Sequence, residues 1–415
     1  MEITYERVAA IDIGKREVAV TIRLPGQGPG GRTQQTRKFR TFYQVLAQMV
    51  DWLVEQGVTH VAMEATGVYW KPVFHALCEA DSIEIVLVNA RHVKNVPGRK
   101  TDVKDSEWLA QLLECGLLRG SFIPPQDIAA IRELTRYRKK TIQARTRELQ
   151  RLSKVLEDAG IKIDSVASSI TTLSARDMIE ALVAGERDPR VLAALARGRM
   201  RSKIPDLTLA CSGRFADHHA VLARLHLDHI DHLTRMIDGL DQRIEQVMGP
   251  FAQHLALLRT IPGIGDRAAQ ILISEIGVDM SRFPTAAHLA SWAGLCPGNN
   301  ESAGRRKSGR TRKGNGEVRD VLTECAWSAG KTGSYIGAQF HRFHRRFGKK
   351  GGGKAAVAVA HTLIVIVWHV LHDQVEYREL GHDYFTRRDN PEATARRLIH
   401  SLQALGYHVE LTATA

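Results

Sequence analysis

The stretch Val8-Ala9-Ala10-Ile11-Asp12 decides the fold of the first part of the chain. Its four apolar residues predict a buried strand that ends at Asp12, and a second apolar-rich strand follows from Glu17 to Leu24. Another strand, His60 to Met63, ends at Glu64 in the same way. Because a carboxylate beside a buried strand is costly without a partner, Asp12 and Glu64 are candidate functional residues.

Two further acidic residues, Asp102 and Asp105, open a helical pattern that runs to Leu113. Their i,i+3 spacing places both carboxylates on one face of that helix. Strand-end carboxylates that converge with such a face form an oxygen-only site suited to Mg²⁺ or Mn²⁺. Two such ions about 4 Å apart can hold the attacking and leaving oxygens of a phosphodiester. The structural alternative is that each acid only caps a strand or helix, as Asp102 after Thr101 would.

The order of the remaining elements favours an α/β sheet. We predict a third strand from Arg37 to Phe42, helices over Tyr43–Gln56 and Lys71–Glu79, and a further strand from Ile83 to Val88. This succession is typical of an RNase H-like domain and resembles its Holliday-junction resolvase (RuvC-like) branch. We assign this domain to residues 1–125, because Pro124-Pro125 interrupts the pattern.

Composition restricts the partners and the compartment. A net charge of +13 and a pI of about 9.7 favour a polyanion such as nucleic acid, although a membrane surface would satisfy the same charge. The apolar run from Ala355 to Leu371 is shorter than the ~20 residues of a membrane span, and His361 and His369 interrupt it, so we predict a buried helix. Five dispersed cysteines without a CxxC pair indicate a reducing cytosol and no zinc site.

A helical, coiled-coil-like spacer is predicted for residues 126–250. One long helical pattern runs from Ile128 to Ala159, and a second places apolar residues three and four apart between Ile230 and Val247. Two arrangements remain open, namely antiparallel packing within one chain and exchange of helices between protomers.

The third region, residues 251–373, is predicted to be a mainly α domain with a helix-hairpin-helix. Helical patterns over Ala256–Ile261 and Ala268–Ile276 flank the turn Pro262-Gly263-Ile264-Gly265. Free N–H groups at a glycine-rich turn before a helix can hold a phosphate, so Gly263 and Gly265 are candidate nucleic-acid-binding residues. A plain helical hairpin is the alternative. Residues 374–415 form a tail without an assignment.

Residues 298–315 form a basic segment in which we expect no buried element. The segment contains two serines, Ser302 and Ser308, and either could attack phosphorus when cations stabilise the transition state. A basic loop that only binds phosphate is the alternative. The cations that we expect to contact nucleic acid are Arg305, Arg306, Lys307, Arg310, Arg312 and Lys313.

The combined pattern resembles the DEDD transposases of bacterial insertion sequences (family one-ten), which are bridge-RNA-guided serine recombinases. One departure is Ala303, because many members have glycine after the serine. The matching stretches, in family order, are Ala10-Ile11-Asp12-Ile13-Gly14, Met63-Glu64-Ala65-Thr66-Gly67, Lys100-Thr101-Asp102-Val103-Lys104-Asp105, Pro262-Gly263-Ile264-Gly265, Gly294-Leu295-Cys296-Pro297, Glu301-Ser302-Ala303-Gly304 and Arg312-Lys313-Gly314-Asn315.

This resemblance implies that Asp12, Glu64, Asp102 and Asp105 bind Mg²⁺ (or Mn²⁺) and that Ser302 is the nucleophile. It implies a transposase/recombinase that exchanges DNA strands through a phosphoserine intermediate. The implied partners are donor and target DNA, a structured non-coding guide (bridge) RNA, and further copies of the chain. In that homo-oligomer, a dimer or tetramer, acidic and serine domains of different protomers form composite sites. The implied location is the bacterial cytoplasm, at the nucleoid and without a membrane partner.

Two other functions are compatible with the same residues. A metal-dependent, junction-resolvase-like nuclease would cleave with water and would not need Ser302. A non-catalytic nucleic-acid-binding protein would use only the hairpin and the basic segment.

Overall fold

The computed structural model describes residues 3–28, 31–65, 67–89, 105–298, 300–388 and 391–410. The chain divides into two compact units, Met1–Ile123 and Pro124–Ala415, and each unit has its own core. The predicted metal ligand Asp102 lies outside the described residues.

The first unit is built on a five-stranded mixed sheet with the strand order β3-β2-β1-β4-β5. The pairs β1–β2 and β2–β3 are antiparallel, whereas β1–β4 and β4–β5 are parallel. The elements in chain order are β1 (Val8–Ile13), β2 (Glu17–Pro25), β3 (Arg32–Arg40), α1 (Tyr43–Glu55), β4 (His60–Glu64), α2 (Trp70–Leu77), β5 (Glu84–Val88) and α3 (Asp105–Glu114).

The two faces of this sheet bury different side chains, because successive residues of a strand point to opposite sides. One face packs Ile11 and Met63 into a core with helices α1 and α2. The other face packs Ala10 and Ala62 against α3, whose contribution includes Leu109. The sheet is therefore a layer between helices, as expected for an α/β unit.

The boundaries of β3 and β1 differ from the sequence-based prediction. Strand β3 covers Arg32–Arg40 rather than Arg37–Phe42, because its pairing with β2 begins at Pro25 opposite Arg32. It is an edge strand with mostly exposed polar residues, so it has no apolar alternation from which its start could be read. Strand β1 continues to Ile13, so Asp12 lies within the strand and not at its end.

The second unit contains two long helices, α4 (Gln126–Asp158) and α9 (Asp217–Val247). Contacts pair Arg138 with Asp241 and Asp158 with His219, so the two helices run antiparallel within this chain. Shorter helices complete the core at one end of the pair. They are α5 (Ile163–Val166), α6 (Leu173–Val183), α7 (Pro189–Ala194) and α8 (Ile204–Ala210).

The remaining elements surround one apolar helix. Helix α15 is long and apolar enough to cross a membrane by length and composition, but about half of that stretch (56%) is buried within the fold. It packs against α12, α13 and α14. The elements in chain order are α10 (Ala252–Arg259), α11 (Asp266–Ile276), α12 (Ala286–Trp292), β6 (Asn300–Ser302), β7 (Arg305–Ser308), α13 (Gly316–Ala329), α14 (Tyr335–Phe347), α15 (Gly352–Asp373), α16 (Tyr384–Arg388) and α17 (Pro391–Ala404).

All five cysteines are free thiols. Burial raises the pKa of Cys211 to about 11 and the pKa of Cys325 to about 12. These two thiols are therefore protonated at neutral pH and act as small apolar side chains.

Candidate active site

Two of the predicted acidic residues lie on neighbouring parallel strands. The pairing of β1 with β4 ends with Ile11 opposite Met63. The next residue is Asp12 in β1 and Glu64 in β4. Asp12 is two residues after Ala10 and Glu64 is two residues after Ala62, so each acid lies on the same face as its alanine. Both alanines pack on the α3 side of the sheet. Neighbouring strands are ~4.8 Å apart, so the two carboxylates project from the same face at adjacent positions.

The third acidic residue approaches this pair from the helix that covers the same face. Asp105 is the first residue of α3, and α3 packs on β1, β2 and β4. Asp12 is the exposed position of an otherwise buried strand, yet its pKa is raised, first by partial burial and then by the negative charge of Asp105. The structure therefore brings Asp12, Glu64 and Asp105 together on one face, whereas Asp102 lies outside the described residues.

Polar contacts with the sheet hold α3 in this position. The hydroxyl oxygens of Thr21 and buried Ser106 are 2.8 Å apart, and Thr21 also contacts Thr36 at 2.9 Å. At the other end of α3, the buried carboxylate of Glu114 accepts a hydrogen bond from Arg23 at 2.6 Å. These positioning residues were missed in the sequence. The available signal was the single polar Thr21 within the apolar run of β2.

The donor set of the acidic face fits a hard divalent cation. Carboxylate oxygens are the preferred ligands of Mg²⁺ and Mn²⁺. The pKa of Asp12 is raised first by partial burial and second by the negative charge of Asp105, and a bound cation would favour the ionised carboxylate against both effects. Asp12, Glu64 and Asp105 are the described residues that could hold the metal.

A second group of possible metal ligands, Asp158, His218 and His219, is better explained by hydrogen bonding. Nδ1 of His219 accepts the backbone N–H of Ala216 at 3.1 Å, so a neutral imidazole carries its proton on Nε2. Nε2 then donates to the carboxylate of Asp158 at 2.9 Å and has no lone pair for a metal. The group ties the end of α4 to the start of α9.

The basic segment contains a hairpin, an element that was not predicted from the sequence. Strand β6 pairs antiparallel with β7, with Ser302 opposite Arg305, and the two-residue turn is Ala303-Gly304. Both turn residues have positive φ, +50° and +72°, which is typical of tight hairpin turns. Glycine and small residues at the turn, rather than apolar alternation, permit this pairing.

The structure describes the side chains of only some of the candidate residues in the hairpin. Ser308 is engaged locally, because its Oγ accepts the backbone N–H of Arg310 at 3.1 Å. The side chains of Ser302, Arg306 and Lys307 lie outside the described part of the structure. The other predicted cations are exposed on or beside the hairpin; they are Arg305, Arg310, Arg312 and Lys313.

A buried carboxylate fixes the chain where this hairpin ends. Glu275 on α11 is fully buried and accepts two hydrogen bonds from Arg136, at 2.6 and 2.8 Å. It also accepts the side-chain N–H of Asn315 at 2.8 Å, while Asn315 caps α13 through the N–H of Val318. The sequence reasoning missed Glu275, although an acidic residue in the apolar pattern of α11 was an available signal.

The turn between α10 and α11 contains the two predicted glycines in different environments. Gly263 has φ +90°, and a Cβ there would lie 2.5 Å from the carbonyl oxygen of Cys325, so close packing on α13 requires glycine. Gly265 is exposed and precedes α11 without a side-chain cap. Helix, turn and helix are therefore present as predicted, and Gly265 is the glycine whose surroundings are open.

Two protein-family models match the chain. One describes a transposase of the DEDD IS110 type and matches residues 9–161. The other describes the transposase IS116/IS110/IS902 family and matches residues 255–342. The first match includes the acidic face and the second includes the serine hairpin.

Similar curated proteins are named as transposases or as a pilin gene-inverting protein. A putative transposase of Sinorhizobium fredii is 26% identical over 59% of this chain and 52% of its own length. The pilin gene-inverting protein of Moraxella bovis is 33% identical over 38% of this chain and 49% of its own length. The chain thus spans about half the length of these relatives. The transposase for insertion sequence element IS1111A of Coxiella burnetii is 23% identical over 90% of this chain and 91% of its own length.

Proposed function

Since this chain belongs to the IS116/IS110/IS902 family of transposases, we propose that it cuts and rejoins DNA in the transposition of an insertion sequence. The observation that carries the proposal is the placement of Asp12, Glu64 and Asp105 on one face of the sheet. Three carboxylates on one face of a sheet have no role in packing a core, but they suit phosphoryl transfer.

An RNase H-like architecture for the first unit is part of this proposal. Its support is the strand order with β1 at the centre, where an antiparallel β1-β2-β3 meander meets parallel β4 and β5. Glu64 is the last residue of β4 and Asp12 is the last but one of β1, so both lie toward the carboxyl ends of the central parallel strands, where α/β sheets commonly bind ligands.

We assign the metal site to Asp12, Glu64 and Asp105, with Asp102 added from its sequence position. Mg²⁺ or Mn²⁺ bound there would stabilise negative charge on the scissile phosphate. The contacts of Ser106 and Glu114 hold α3 on the sheet, so they would fix Asp105 relative to Asp12 and Glu64. The three carboxylates would thereby orient the phosphate.

Ser302 is the nucleophile that we propose. Its Oγ attacks phosphorus and forms a phosphoserine ester, while the P–O bond to the departing DNA strand breaks and that strand leaves as a hydroxyl. The dense cations of the hairpin, including Arg305 and Arg310, would stabilise the charge of the transition state. Free N–H groups near Gly265, at the start of α11, would hold the DNA backbone in the manner of a helix-hairpin-helix.

The partners in this proposal are donor and target DNA, a structured guide RNA and further copies of the chain in a homo-oligomer. The support is the family resemblance together with the net charge of +13, which suits polyanionic partners. A bacterial, nucleoid-associated location follows from the same partners.

A covalent-trapping experiment tests this function. The protein, Mg²⁺, the RNA that flanks the element and nicked donor DNA are mixed and separated on a denaturing gel. We expect a protein–DNA adduct that disappears in Ser302→Ala, persists in Ser308→Ala and weakens in Asp12→Asn. Ser308→Ala is the matched control, because it removes a serine hydroxyl from the same hairpin.

A water-using nuclease is the second candidate, because the acidic face alone suffices for hydrolysis. Cleaved DNA without an adduct in any lane, with cleavage lost in Asp12→Asn, would support the nuclease and exclude the serine mechanism. Bound but unprocessed DNA in every lane would instead support a non-catalytic binding protein.

A further inference from the structure

A long segment of the second unit contains no acidic residue. Between Cys325 and His372 the chain has no aspartate or glutamate. It has seven lysine and arginine residues, Lys331, Arg342, Arg345, Arg346, Lys349, Lys350 and Lys354. The second unit therefore has a strong local excess of positive charge that lies outside the serine hairpin.

Most of these cations lie where α14 ends and α15 begins, and we call their surface the α14–α15 basic surface. Its members are Arg345, Arg346, Lys349, Lys350 and Lys354, and all five are exposed. Within the described ranges of the chain none of these five forms an ion pair. Their charges are thus available to an external anion.

The helix dipoles account for only some of these cations. Arg345 and Arg346 occupy the last turn of α14, where positive charge is favourable. Lys349 and Lys350 precede α15, and Lys354 lies in its first turn, where positive charge is unfavourable and where the helix itself has no acidic residue. In the unbound protein these lysines therefore add positive charge to the positive end of the helix dipole, and a bound anion would neutralise that charge.

An aromatic platform stands beside the basic surface. Trp327 on α13 is 44% exposed, and its ring lies tilted at 5.1 Å from the ring of Phe340. The ring of His344 stacks on Phe340. Gly352 makes room for this platform, because a Cβ there would lie 2.6 Å from the Trp327 ring. One large aromatic ring is thus held in place by packing while much of its surface remains open to solvent.

We propose that the α14–α15 basic surface and Trp327 bind an unpaired segment of RNA. The cations would neutralise the phosphates, and Trp327 would stack with an exposed base. A paired duplex would satisfy the cations but hide its base faces from Trp327. The choice of RNA rests on the proposed function, because loops of a guide RNA are unpaired before any DNA strand is cut.

The occupant is not a membrane surface in this proposal. Most apolar residues of the adjacent helix α15, including Leu363 and Val367, are buried within the fold. The basic surface is therefore not continued by a fully exposed apolar face that could insert into a membrane.

Binding assays with the full-length Ser302→Ala protein in EDTA test the proposal. In these conditions strand transfer cannot occur, so failure of the serine chemistry would not affect the result. Affinity is measured for a labelled unstructured RNA and for a fully paired RNA duplex of equal length. We expect Trp327→Ala to lower the affinity for unpaired RNA about 10-fold and to leave the affinity for the duplex unchanged. Trp327→Phe should restore most of the affinity for unpaired RNA.

The lysines are tested through salt dependence. Lys349→Gln combined with Lys350→Gln should lower the slope of log K against log salt by about 1.4 for unpaired RNA. The matched control is Arg199→Gln with Arg201→Gln, two exposed arginines of the same unit that should leave the slope unchanged.

Four results would overturn the proposal. The first is unchanged RNA affinity in Trp327→Ala with an unchanged melting temperature. The second is equal weakening of unpaired and paired RNA. The third is a photo-crosslink of the Trp327 peptide to deoxyribonucleotides in a complex that contains both RNA and DNA. The fourth is binding to anionic vesicles that depends on the lysines, in a protein that does not bind RNA. In that case the ligand of this surface would be a membrane.

Discussion

The side-chain amide of Asn315 donates a hydrogen bond of 2.8 Å to the buried carboxylate of Glu275, 40 residues earlier in the chain. The same carboxylate receives two hydrogen bonds from Arg136. One buried acid thus connects α4, α11 and the start of α13, immediately after the serine hairpin. The position of the hairpin therefore depends on a residue that contacts neither metal nor DNA in the proposed mechanism.

Removal of this carboxylate should destabilise the second unit. Glu275→Ala removes the buried carboxylate that pairs with Arg136 and with half-buried Arg132, and we expect the free energy of unfolding to fall by about 3–5 kcal/mol. Denaturant unfolding followed by tryptophan fluorescence measures the change. The control is Glu157→Gln, in an exposed ion pair with Lys162, for which we expect about 0–1 kcal/mol. Equal effects of the two variants would contradict the structural role of Glu275.

The turn beside Ser302 contains strain that glycine would relieve. Ala303 has φ +50°, a left-handed conformation that costs a non-glycine residue ~1–2 kcal/mol, partly offset by the greater entropy of unfolded glycine. We expect Ala303→Gly to stabilise the hairpin by about 0.5–1 kcal/mol. Hydrogen exchange of the backbone amides between Asn300 and Ser308 measures this stabilisation, and we expect the exchange to be slower in Ala303→Gly. Gly304→Ala, at φ +72°, should accelerate the same exchange, and a reversed order would contradict this geometry.

Asp12 should destabilise the metal-free protein at neutral pH. Because its pKa is raised in the folded state, the folded protein binds this proton more tightly than the unfolded chain. The resulting contribution is favourable at low pH and is lost as the pH rises through the folded pKa, so the ionised carboxylate is unfavourable at pH 7. We expect Asp12→Asn to raise the melting temperature in EDTA at pH 7, with a smaller difference in acid.

The same variant should abolish stabilisation by Mg²⁺. A ligand that binds only the folded state raises the melting temperature with its concentration, and Asp12→Asn removes a proposed ligand. The control is Asp51→Asn on α1, which should keep the wild-type response to Mg²⁺. A Mg²⁺ response that survives in Asp12→Asn would place the metal elsewhere.

The contact between Thr21 and Ser106 should stabilise the acidic face. Thr21→Val leaves the buried Ser106 hydroxyl without this partner, and we expect a loss of about 1–3 kcal/mol in the free energy of unfolding. The double variant Thr21→Val, Ser106→Ala removes both polar groups and should recover part of the loss. Strictly additive effects in this cycle would show that the two hydroxyls are not coupled.

Much of the fold could be predicted because its signals are local. Four apolar residues before Asp12, the periodic pattern of α1 and the glycine-rich turn before α11 each specify an element from adjacent residues. Edge strand β3 was predicted to start five residues too late, since its start is determined by pairing with β2 and not by its own composition. The β6–β7 hairpin was missed for a similar reason, because cross-strand pairing and two positive φ values define it.

The sequence by itself determined which acids and serines were candidates, and their catalytic roles remain predictions. Only the tertiary structure decided that Asp12, Glu64 and Asp105 share one face, because this depends on the register of β1 with β4 and on which side of the sheet α3 packs. Only the tertiary structure identified Glu275 and Asn315 as partners. Local propensity acts between near neighbours, whereas burial and hydrogen bonding join residues far apart in the chain, and the candidate site was assembled by these long-range interactions.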